Sequence, residues 1–227
     1  MKRIVNIHAY WQILIAQVFL IFLAAFMEDY FVFYILFALG TLDIFGWVIV
    51  SVLKRRWFKA IAIVIGIAAV GSGAAAFFVQ ANEEALLYIL TLVAAFSFAA
   101  FALIAILAMI KGVFMTDEVT SDIVVGSICI YIMIGMFFAF IYAAAAIINP
   151  YSFNLAGHTY GSLESLRDYL YFSFVTLTTL GYGDMVPTAA MSKMLSSMEA
   201  VTGPVYLAIL VARLVGQHMS QRMARKS

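Results

Sequence analysis

The stretch Thr178-Thr179-Leu180-Gly181-Tyr182-Gly183-Asp184 decides what kind of protein this chain encodes. Its alternating glycines permit backbone torsions that are closed to residues with a Cβ, so successive carbonyl groups can point toward one axis. Stacked rings of such carbonyls can replace the hydration shell of a potassium ion. We therefore predict a selectivity filter at residues 179–183, with K⁺ bound at Thr179, Leu180, Gly181 and Tyr182 and with Gly183 completing the filter.

The residues around this stretch favour a filter over a flexible turn in a soluble protein, where Gly-Tyr-Gly also occurs. Residues 169–183, between Asp168 and Asp184, carry no charge, and they are too few to cross a hydrocarbon core of ~30 Å and return. They predict a short re-entrant pore helix followed by an extended loop, since irregular backbone at membrane depth persists only where it is buried in protein or lines water. Thr179 adds a hydroxyl at the inner end, and Asp184 places a carboxylate at the mouth.

The composition predicts an integral membrane protein. Hydrophobic residues make up 66% of the chain and charged residues 11%, with a mean hydropathy of +1.06. Soluble domains are roughly 45–50% apolar and roughly 25% charged. The single cysteine, Cys129, predicts neither a disulfide framework nor a thiol metal site. No His pair, phosphate loop or Ser-His-Asp set occurs at usable positions, so we predict a protein that is not an enzyme, with no nucleic-acid partner and no cofactor other than bound K⁺.

Long stretches with few or no charges predict six transmembrane helices. They cover residues 4–27, 30–53, 60–82, 85–110, 123–148 and 189–216. The predicted fold is an all-α membrane protein with six transmembrane helices plus one re-entrant pore helix and filter loop. We divide it into a four-helix peripheral domain (1–110), a cytoplasmic linker (111–122), a pore domain (123–216) and a short cytoplasmic tail (217–227).

Basic residues are distributed asymmetrically about these spans. Of the 13 lysines and arginines, all but Arg167 and Lys193 fall on one side. The positive-inside rule makes that side cytoplasmic, so we expect a multi-pass protein with both termini in the cytoplasm and a filter that opens outward. The first segment also has the basic start of a signal peptide, but its uncharged run exceeds the roughly 7–15 residues of a signal core.

Residues 169 to 205 resemble the pore of tetrameric potassium channels, and residues 176–187, TLTTLGYGDMVP, are especially similar to voltage-gated members. The resemblance implies a homotetramer, since each chain carries one loop. It also implies passive K⁺ conduction. Leu180 stands where the family more often has Val, a change that keeps the carbonyl. Resemblance to short bacterial channels suggests a bacterial inner membrane.

The resemblance also implies which residues support the filter. Tyr171 and Phe172 occupy places where many family members carry a Trp pair that hydrogen-bonds the filter Tyr and the mouth Asp. Tyr171 can still donate to Asp184, but Phe172 has no donor, so the brace on Tyr182 is expected from Thr176 or from a neighbouring chain. The predicted mouth and support residues are Asp184, Tyr171, Thr176 and Thr178.

Gly203 lies where the family often has a hinge glycine in the inner helix, and here Pro204 follows it. Because Pro removes a backbone donor and clashes with the preceding turn, Gly203-Pro204 is predicted to bend the helix at a defined point. Two interpretations stay open at this position. The bend is either a static kink used for packing or a hinge that opens a cytoplasmic gate.

The four leading helices sit where voltage-gated relatives have their voltage sensor, but the fourth predicted helix, 85–110, contains no Arg or Lys. One elementary charge that crosses the field is worth ~2.3 kcal/mol per 100 mV. A helix without charges cannot draw steep voltage dependence from moving. We therefore predict a voltage-insensitive channel in which these helices form a packing scaffold.

Glu199 lies within the sixth predicted helix, where ionisable side chains are costly and often functional. One interpretation makes it a proton-sensitive gating element coupled to the filter or the hinge. The other makes it a carboxyl group that is satisfied by hydrogen bonds to Ser173, Thr176 or Thr178 of the pore helix. The residues alone leave both open.

Asp43, in the second predicted helix, is the other intramembrane carboxyl group and the remaining gating candidate. It has no basic partner within the membrane, so it is expected to be protonated or to form a polar clamp with Gln17 or Ser72. A basic run at the inner leaflet sets the topology and is also a candidate site for anionic lipid. Its residues are Lys54, Arg55, Arg56 and Lys59.

These features together predict a potassium-selective channel in a cell membrane that conducts K⁺ passively, with gating by lipid, by pH or by neither. Two alternatives remain. A weakly selective cation channel would follow if the missing Trp pair lets the filter widen. A non-conducting regulatory or sensor subunit would co-assemble with another channel.

Overall fold

A computed structural model of the chain describes residues 9–26, 30–53, 55–79, 83–115, 120–155 and 166–224. The helices in these ranges are α1 Ala9–Phe26, α2 Tyr30–Trp47, α3 Arg56–Phe78, α4 Glu84–Phe114, α5 Ser121–Ile148, α6 Leu166–Leu177 and α7 Ala190–Ala224. A π-helical turn, Val48–Val52, follows α2. The strands are β1 Phe153–Leu155 and β2 Met185–Pro187.

Several of these helices are suited to a membrane. Four stretches are long and apolar enough to cross one, namely Arg56–Ala76, Glu84–Phe114, Ser121–Ile148 and Ala190–Gln217, and two shorter apolar helices cover Tyr10–Leu23 and Leu39–Val50. Helix is the expected form for such runs, because a hydrocarbon core offers no water to the backbone and each N–H and C=O must be paired within its segment. The described residues therefore fit the predicted all-α membrane class.

Helix α5 lies at the centre of the fold and packs against α1, α4, α6 and α7. Aromatic rings fill the space between α2, α4 and α5. Phe98 stacks on Phe140 with 4.9 Å between ring centroids, and Phe45 stacks on Phe101 at 3.4 Å. Large buried rings contribute strongly to packing energy, so α5 is the fixed element against which the other helices are placed.

Helices α4 and α7 both run further than the sequence predicted. α4 continues through Lys111 to Phe114, and α7 continues past Gly216 to Ala224. Arg213 of α7 contacts the end of α4: it donates to the Val113 carbonyl at 2.5 Å and lies 4.7 Å from the centroid of the Phe114 ring. The last carbonyls of a helix have no partner within it, so this guanidinium group stabilises the final turn of α4.

After α5 the chain folds back onto the segment that follows the predicted filter. α5 ends at Ile148, just before Pro150, which has no N–H to continue a helix. β1 then pairs antiparallel with β2, with Asn154 opposite Val186 at the centre of the register. This pairing joins the end of α5 to the residues immediately after Asp184.

Hydrogen bonds beside the strands reinforce that junction. The Ser152 carbonyl accepts bonds from the Thr188 N–H at 2.9 Å and from Ser192 Oγ at 2.6 Å. Ser152 Oγ in turn donates to the Ala145 carbonyl of α5 at 3.1 Å. We call the β1–β2 pair with these bonds the outer clasp.

Candidate functional site

The predicted filter stretch begins at the C-terminal end of α6. The Thr179 N–H donates to the Thr176 carbonyl at 2.9 Å, and the Leu180 and Gly181 N–H groups donate to the Val175 carbonyl at 2.9 and 3.2 Å. Carbonyls in the last turn of a helix lack partners within it, and here the chain that leaves the helix supplies them. The start of the stretch is thereby fixed to α6.

The handedness of the backbone alternates along the stretch. Thr179, Gly181 and Gly183 have φ of +60°, +58° and +80°, whereas Leu180 and Tyr182 between them do not have positive φ. In an extended strand the residues alternate from one side to the other, and so do the carbonyls. Turning every second residue into the left-handed region brings successive carbonyls to one side. The alternation is the backbone form that a one-sided row of carbonyls needs.

Thr179 is the member of this pattern that its residue type did not predict. A β-branched residue at positive φ is a conformational outlier and costs on the order of 1–3 kcal/mol. Such a residue persists where surrounding contacts hold it. Here the preceding residue, Thr178, donates both its N–H (3.0 Å) and its hydroxyl (2.7 Å) to the Phe174 carbonyl. Thr178 therefore fixes the residue before Thr179 to the last turn of α6.

One side of the stretch is uncovered within a single chain. Leu180 is 54% exposed and Tyr182 is 67% exposed, and a Cβ added to Gly181 or Gly183 would meet no atom within 4 Å. The helix behind the stretch is buried at Phe172. One chain thus provides one wall of a site and leaves the opposite wall open.

Tyr171 supports the outer end of the stretch. Its hydroxyl donates to Asp184 Oδ2 at 2.7 Å, the bond that the sequence predicted, and its ring lies nearly parallel to that of Tyr182 with 6.5 Å between centroids. The brace expected from Thr176 is not formed, because the Thr176 hydroxyl makes no hydrogen bond among the described residues. The ring of Tyr171 lies beside Tyr182 instead, and a brace from a neighbouring chain stays a prediction.

The charge of Asp184 is stabilised by these neighbours. The Tyr171 hydroxyl is the main cause that lowers the pKa of Asp184 below its ordinary value, and the Met185 N–H, at 3.0 Å from Oδ1, acts in the same direction. A donor to a carboxylate favours the charged form. Asp184 therefore stays ionised to lower pH than a free aspartate.

Replacing Tyr171 by Phe removes the hydroxyl and keeps the ring. We expect the pKa of Asp184 to rise toward its ordinary value, so that on acidification the carboxylate loses its charge at higher pH than in the wild type. The measurement is the carboxyl carbon shift of Asp184 in an NMR pH titration. Tyr151→Phe, at an exposed tyrosine outside the stretch, is the control. An unchanged titration in Tyr171→Phe would contradict the assigned cause.

Glu199 of α7 is fully buried where α5, α6 and α7 meet. Ser173 Oγ of α6 lies 2.5 Å from Glu199 Oε1, and the Tyr142 hydroxyl of α5 donates to Oε2 at 2.5 Å. Ser173 is the only one of the three predicted partners in contact with it among the described residues. Tyr142 was missed, because no local pattern connects two residues so distant in sequence. The one feature of the sequence that could have indicated Tyr142 is that its hydroxyl is a polar group in the alanine-rich end of α5.

α7 runs through Gly203 and Pro204 as one helix. Gly203 is buried, and a Cβ added there would overlap the backbone carbonyl oxygen of Leu177, the last residue of α6. The same carbonyl accepts a hydrogen bond from the Tyr131 hydroxyl at 3.3 Å. The close approach of α7 to α6 therefore explains the glycine and favours the packing interpretation, while the hinge stays a prediction.

The polar clamp predicted at Asp43 is not formed. Asp43 is exposed on α2. Gln17 Nε2 donates to the Cys129 carbonyl at 3.2 Å, and Ser72 Oγ donates to the Ala68 carbonyl of its own helix at 2.5 Å. Both expected partners thus direct their donors elsewhere, and among the residues that the structure describes no contact of Asp43 supports a gating role.

The basic run predicted to bind anionic lipid lies at the start of α3. Arg55 and Arg56 are exposed, and Lys59 donates to the Val50 carbonyl at 3.4 Å. Lys54 lies outside the described residues. Exposed guanidinium groups are compatible with lipid binding, which stays a prediction.

Comparison with known proteins gives matches at this site. Residues 128–219 match the model of a family described as "Ion channel". Two-pore potassium channel 4 of Arabidopsis thaliana is 43% identical over 53 residues, which are 23% of this chain and 19% of that protein. Potassium voltage-gated channel subfamily A member 2 of Oncorhynchus mykiss is 40% identical over 52 residues, which are 23% of this chain and 10% of that protein.

These matches are confined to part of each protein. The chain spans at most 19% of the length of these two relatives. No solved structure matches it. The family match contains α6, the stretch 179–183 and most of α7, so the residues that the sequence singled out lie in the part of the chain that is similar to ion channels.

Proposed function

We propose that this chain is a member of the potassium channel superfamily and forms a homotetrameric channel that conducts K⁺ selectively and passively. The similarity of residues 128–219 to an ion-channel family, and of shorter stretches to potassium channels, supports this assignment. The stretch 179–183 serves as its filter, with K⁺ held by the carbonyls of Thr179, Leu180, Gly181 and Tyr182. The observation that carries the proposal is the alternation of positive φ along this stretch.

A one-sided row of carbonyls explains both selectivity and flux. The oxygens take the place of the water that a potassium ion gives up, and ions in neighbouring sites repel each other and leave in turn, so flux follows the electrochemical gradient without ATP. The Thr179 hydroxyl adds a ligand at the inner end. Asp184, which Tyr171 keeps ionised, concentrates cations at the outer mouth.

Four copies would close the ring that one chain leaves open. In the stretch of α7 that is long and apolar enough to cross a membrane, only 22% is buried within one chain, against 72% in that of α5. Its exposed side is apolar and includes Met194, Met198, Val201 and Val205. In a tetramer this side would pack on neighbouring chains or line the pore. The C-terminal ends of four α6 helices would also converge, where their partial negative charge favours a cation.

The proposed topology has six crossings, with α6 and the filter as a re-entrant segment between the fifth and the sixth. The distribution of basic residues supports cytoplasmic termini and an outward-facing filter in a cell membrane. α1, α2, α3 and α4 would form the periphery around the pore, and the exposed Arg55 and Arg56 would meet the lipid headgroups of the inner leaflet.

Ion flux through the purified protein in liposomes tests the proposal. We expect thallium and K⁺ uptake well above the Na⁺ uptake of the same vesicles, and a bi-ionic K⁺/Na⁺ reversal potential far from zero. A reversal potential near zero would support the weakly selective cation channel instead. Silent vesicles, from protein shown to be tetrameric, would support the non-conducting subunit. The contacts of Tyr171 with Asp184 and Tyr182 favour the selective channel over both.

Conductance should change little with membrane voltage. The only basic residue of α4 is Lys111, in its last turn, so no charge on this helix is placed to cross the field. At ~2.3 kcal/mol per charge per 100 mV, steep gating needs several such charges. Single-channel recordings in planar bilayers, at negative and positive voltages, measure the open probability. A steep sigmoidal activation curve would contradict this prediction.

A further inference from the structure

Three oxygen–oxygen contacts meet around Glu199, and each needs a proton. Ser173 Oγ lies 2.5 Å from Glu199 Oε1 and 2.7 Å from the Gly135 carbonyl oxygen, and the Tyr142 hydroxyl lies 2.5 Å from Glu199 Oε2. Two oxygens this close are a hydrogen-bonded pair, with a proton between them. The group therefore holds three hydrogen bonds.

The hydroxyl groups supply only two of these protons. A serine and a tyrosine each carry one O–H, and a backbone carbonyl is an acceptor only. The proton of Tyr142 serves Glu199 Oε2. The single proton of Ser173 serves either Gly135 or Glu199, and the other contact is left without a donor. Only the carboxyl group of Glu199 can supply the third proton.

We infer that Glu199 is a neutral carboxylic acid that donates its proton from Oε1 to Ser173 Oγ. Ser173 then donates to the Gly135 carbonyl, and Tyr142 donates to Glu199 Oε2. In this arrangement each of the three contacts has its proton. The bonds form one chain, Tyr142–Glu199–Ser173–Gly135, which we call the carboxyl relay.

The surroundings of Glu199 support a neutral group. The polar and titratable groups near the relay are Tyr131 and Tyr142 of α5, Ser173 of α6 and Ser196 of α7. No Lys or Arg lies against the carboxyl group among the described residues. A buried charge without a counterion is strongly unfavourable, whereas a neutral acid with a donor and an acceptor is satisfied.

The relay connects the three helices that carry the proposed pore. Tyr142 and Gly135 belong to α5, Ser173 to α6 and Glu199 to α7. Glu199 is then a positioning residue that holds α6 against its neighbours and does not touch the ion. This positioning role rests on the proposed channel function. The inference that Glu199 carries a proton does not depend on that function.

Infrared spectroscopy of the full-length protein in lipid vesicles at neutral pH tests the proton directly. We expect the carbonyl stretching band of a protonated carboxyl group in the wild type, its loss in Glu199→Gln and its retention in Asp43→Asn, the matched control at the other intramembrane carboxyl group. Loss of carboxylate bands in Glu199→Gln, with no change in the carboxylic acid region, would overturn the inference. This readout does not depend on K⁺ flux, so it separates failure of the inference from failure of the proposed function.

Two further variants keep the test decisive. In Ser173→Ala the acid loses its acceptor, so we expect the Glu199 band to remain and to move to higher frequency.

Glutamine at position 199 mimics the neutral acid, because its amide donates to Ser173 and its carbonyl accepts from Tyr142. We therefore expect Glu199→Gln to keep the wild-type melting temperature and Glu199→Ala to lower it. A Glu199→Gln protein that melts as low as Glu199→Ala would count against the neutral acid.

Discussion

Gly181→Ala is expected to abolish selective K⁺ flux. Gly181 has a φ of +58°, and a Cβ added there would have no other atom of the same chain within 4 Å. The obstacle is therefore backbone conformation rather than space. An L-residue in the left-handed region costs roughly 1–2 kcal/mol, and in a tetramer the cost recurs in every chain. The strain is relieved by turning the adjacent peptide, which takes its carbonyl out of the row.

The measurement is K⁺ and thallium uptake by liposomes that contain equal amounts of tetramer. Gly71→Ala in α3 is the matched control, since Gly71 is helical, has no positive φ and also has open space around a Cβ. We expect Gly71→Ala vesicles to conduct like the wild type. Selective K⁺ uptake by the Gly181→Ala protein would show that residues 179–183 are not the filter.

Gly203→Ala is expected to destabilise the tetramer and to reduce K⁺ flux strongly. The new Cβ would overlap the Leu177 carbonyl oxygen, which belongs to the backbone and is also held by the Tyr131 hydroxyl. Overpacking of this kind costs typically about 1–3 kcal/mol. Leu177 lies two residues before Thr179, so a displaced carbonyl shifts the inner end of the filter as well.

Thermal unfolding of the tetramer and liposome flux, measured on the same preparations, separate packing from hinge motion. Gly216→Ala, on the same helix and with nothing within 4 Å of a Cβ, is expected to behave as the wild type. Loss of a hinge would change the open probability while the melting temperature stays the same. A Gly203→Ala tetramer that melts like the wild type would contradict the packing explanation.

The backbone conformation of residues 179–183 was predictable where the residue type indicates it. Glycine at 181 and 183 signals positive φ, whereas threonine at 179 does not, since its conformation is imposed by the end of α6. Tyr171 was predictable as a donor to Asp184 because it occupies a place where many of the channels that the sequence resembles carry a tryptophan of a pair that bonds the filter tyrosine and the mouth aspartate. The contact of its ring with Tyr182 depends on the path of residues 178–184 relative to α6, which the residue types do not indicate.

Contacts between distant parts of the chain were the least predictable. The sequence predicted Ser173, Thr176 or Thr178 as partners of Glu199, and only Ser173 is in contact with it among the described residues. The bond with Tyr142 depends on how α5 and α7 are rotated about their axes. β1 and β2 have three residues each, which is too short for a periodic pattern. The bond between Arg213 and Val113 likewise arises only because α7 passes beside the end of α4.

The outer clasp has a consequence for how the proposed filter, residues 179–183, can move. Residues 179–183 are anchored at one end by bonds to the Val175 and Thr176 carbonyls and at the other by the pairing of Met185. A segment with both ends anchored cannot swing or slide as a free loop does. Its accessible motion is a crankshaft rotation, in which neighbouring torsions turn in opposite senses and one peptide plane flips. A filter that stops conducting would thus keep its length and exchange a carbonyl for an N–H along the ion path.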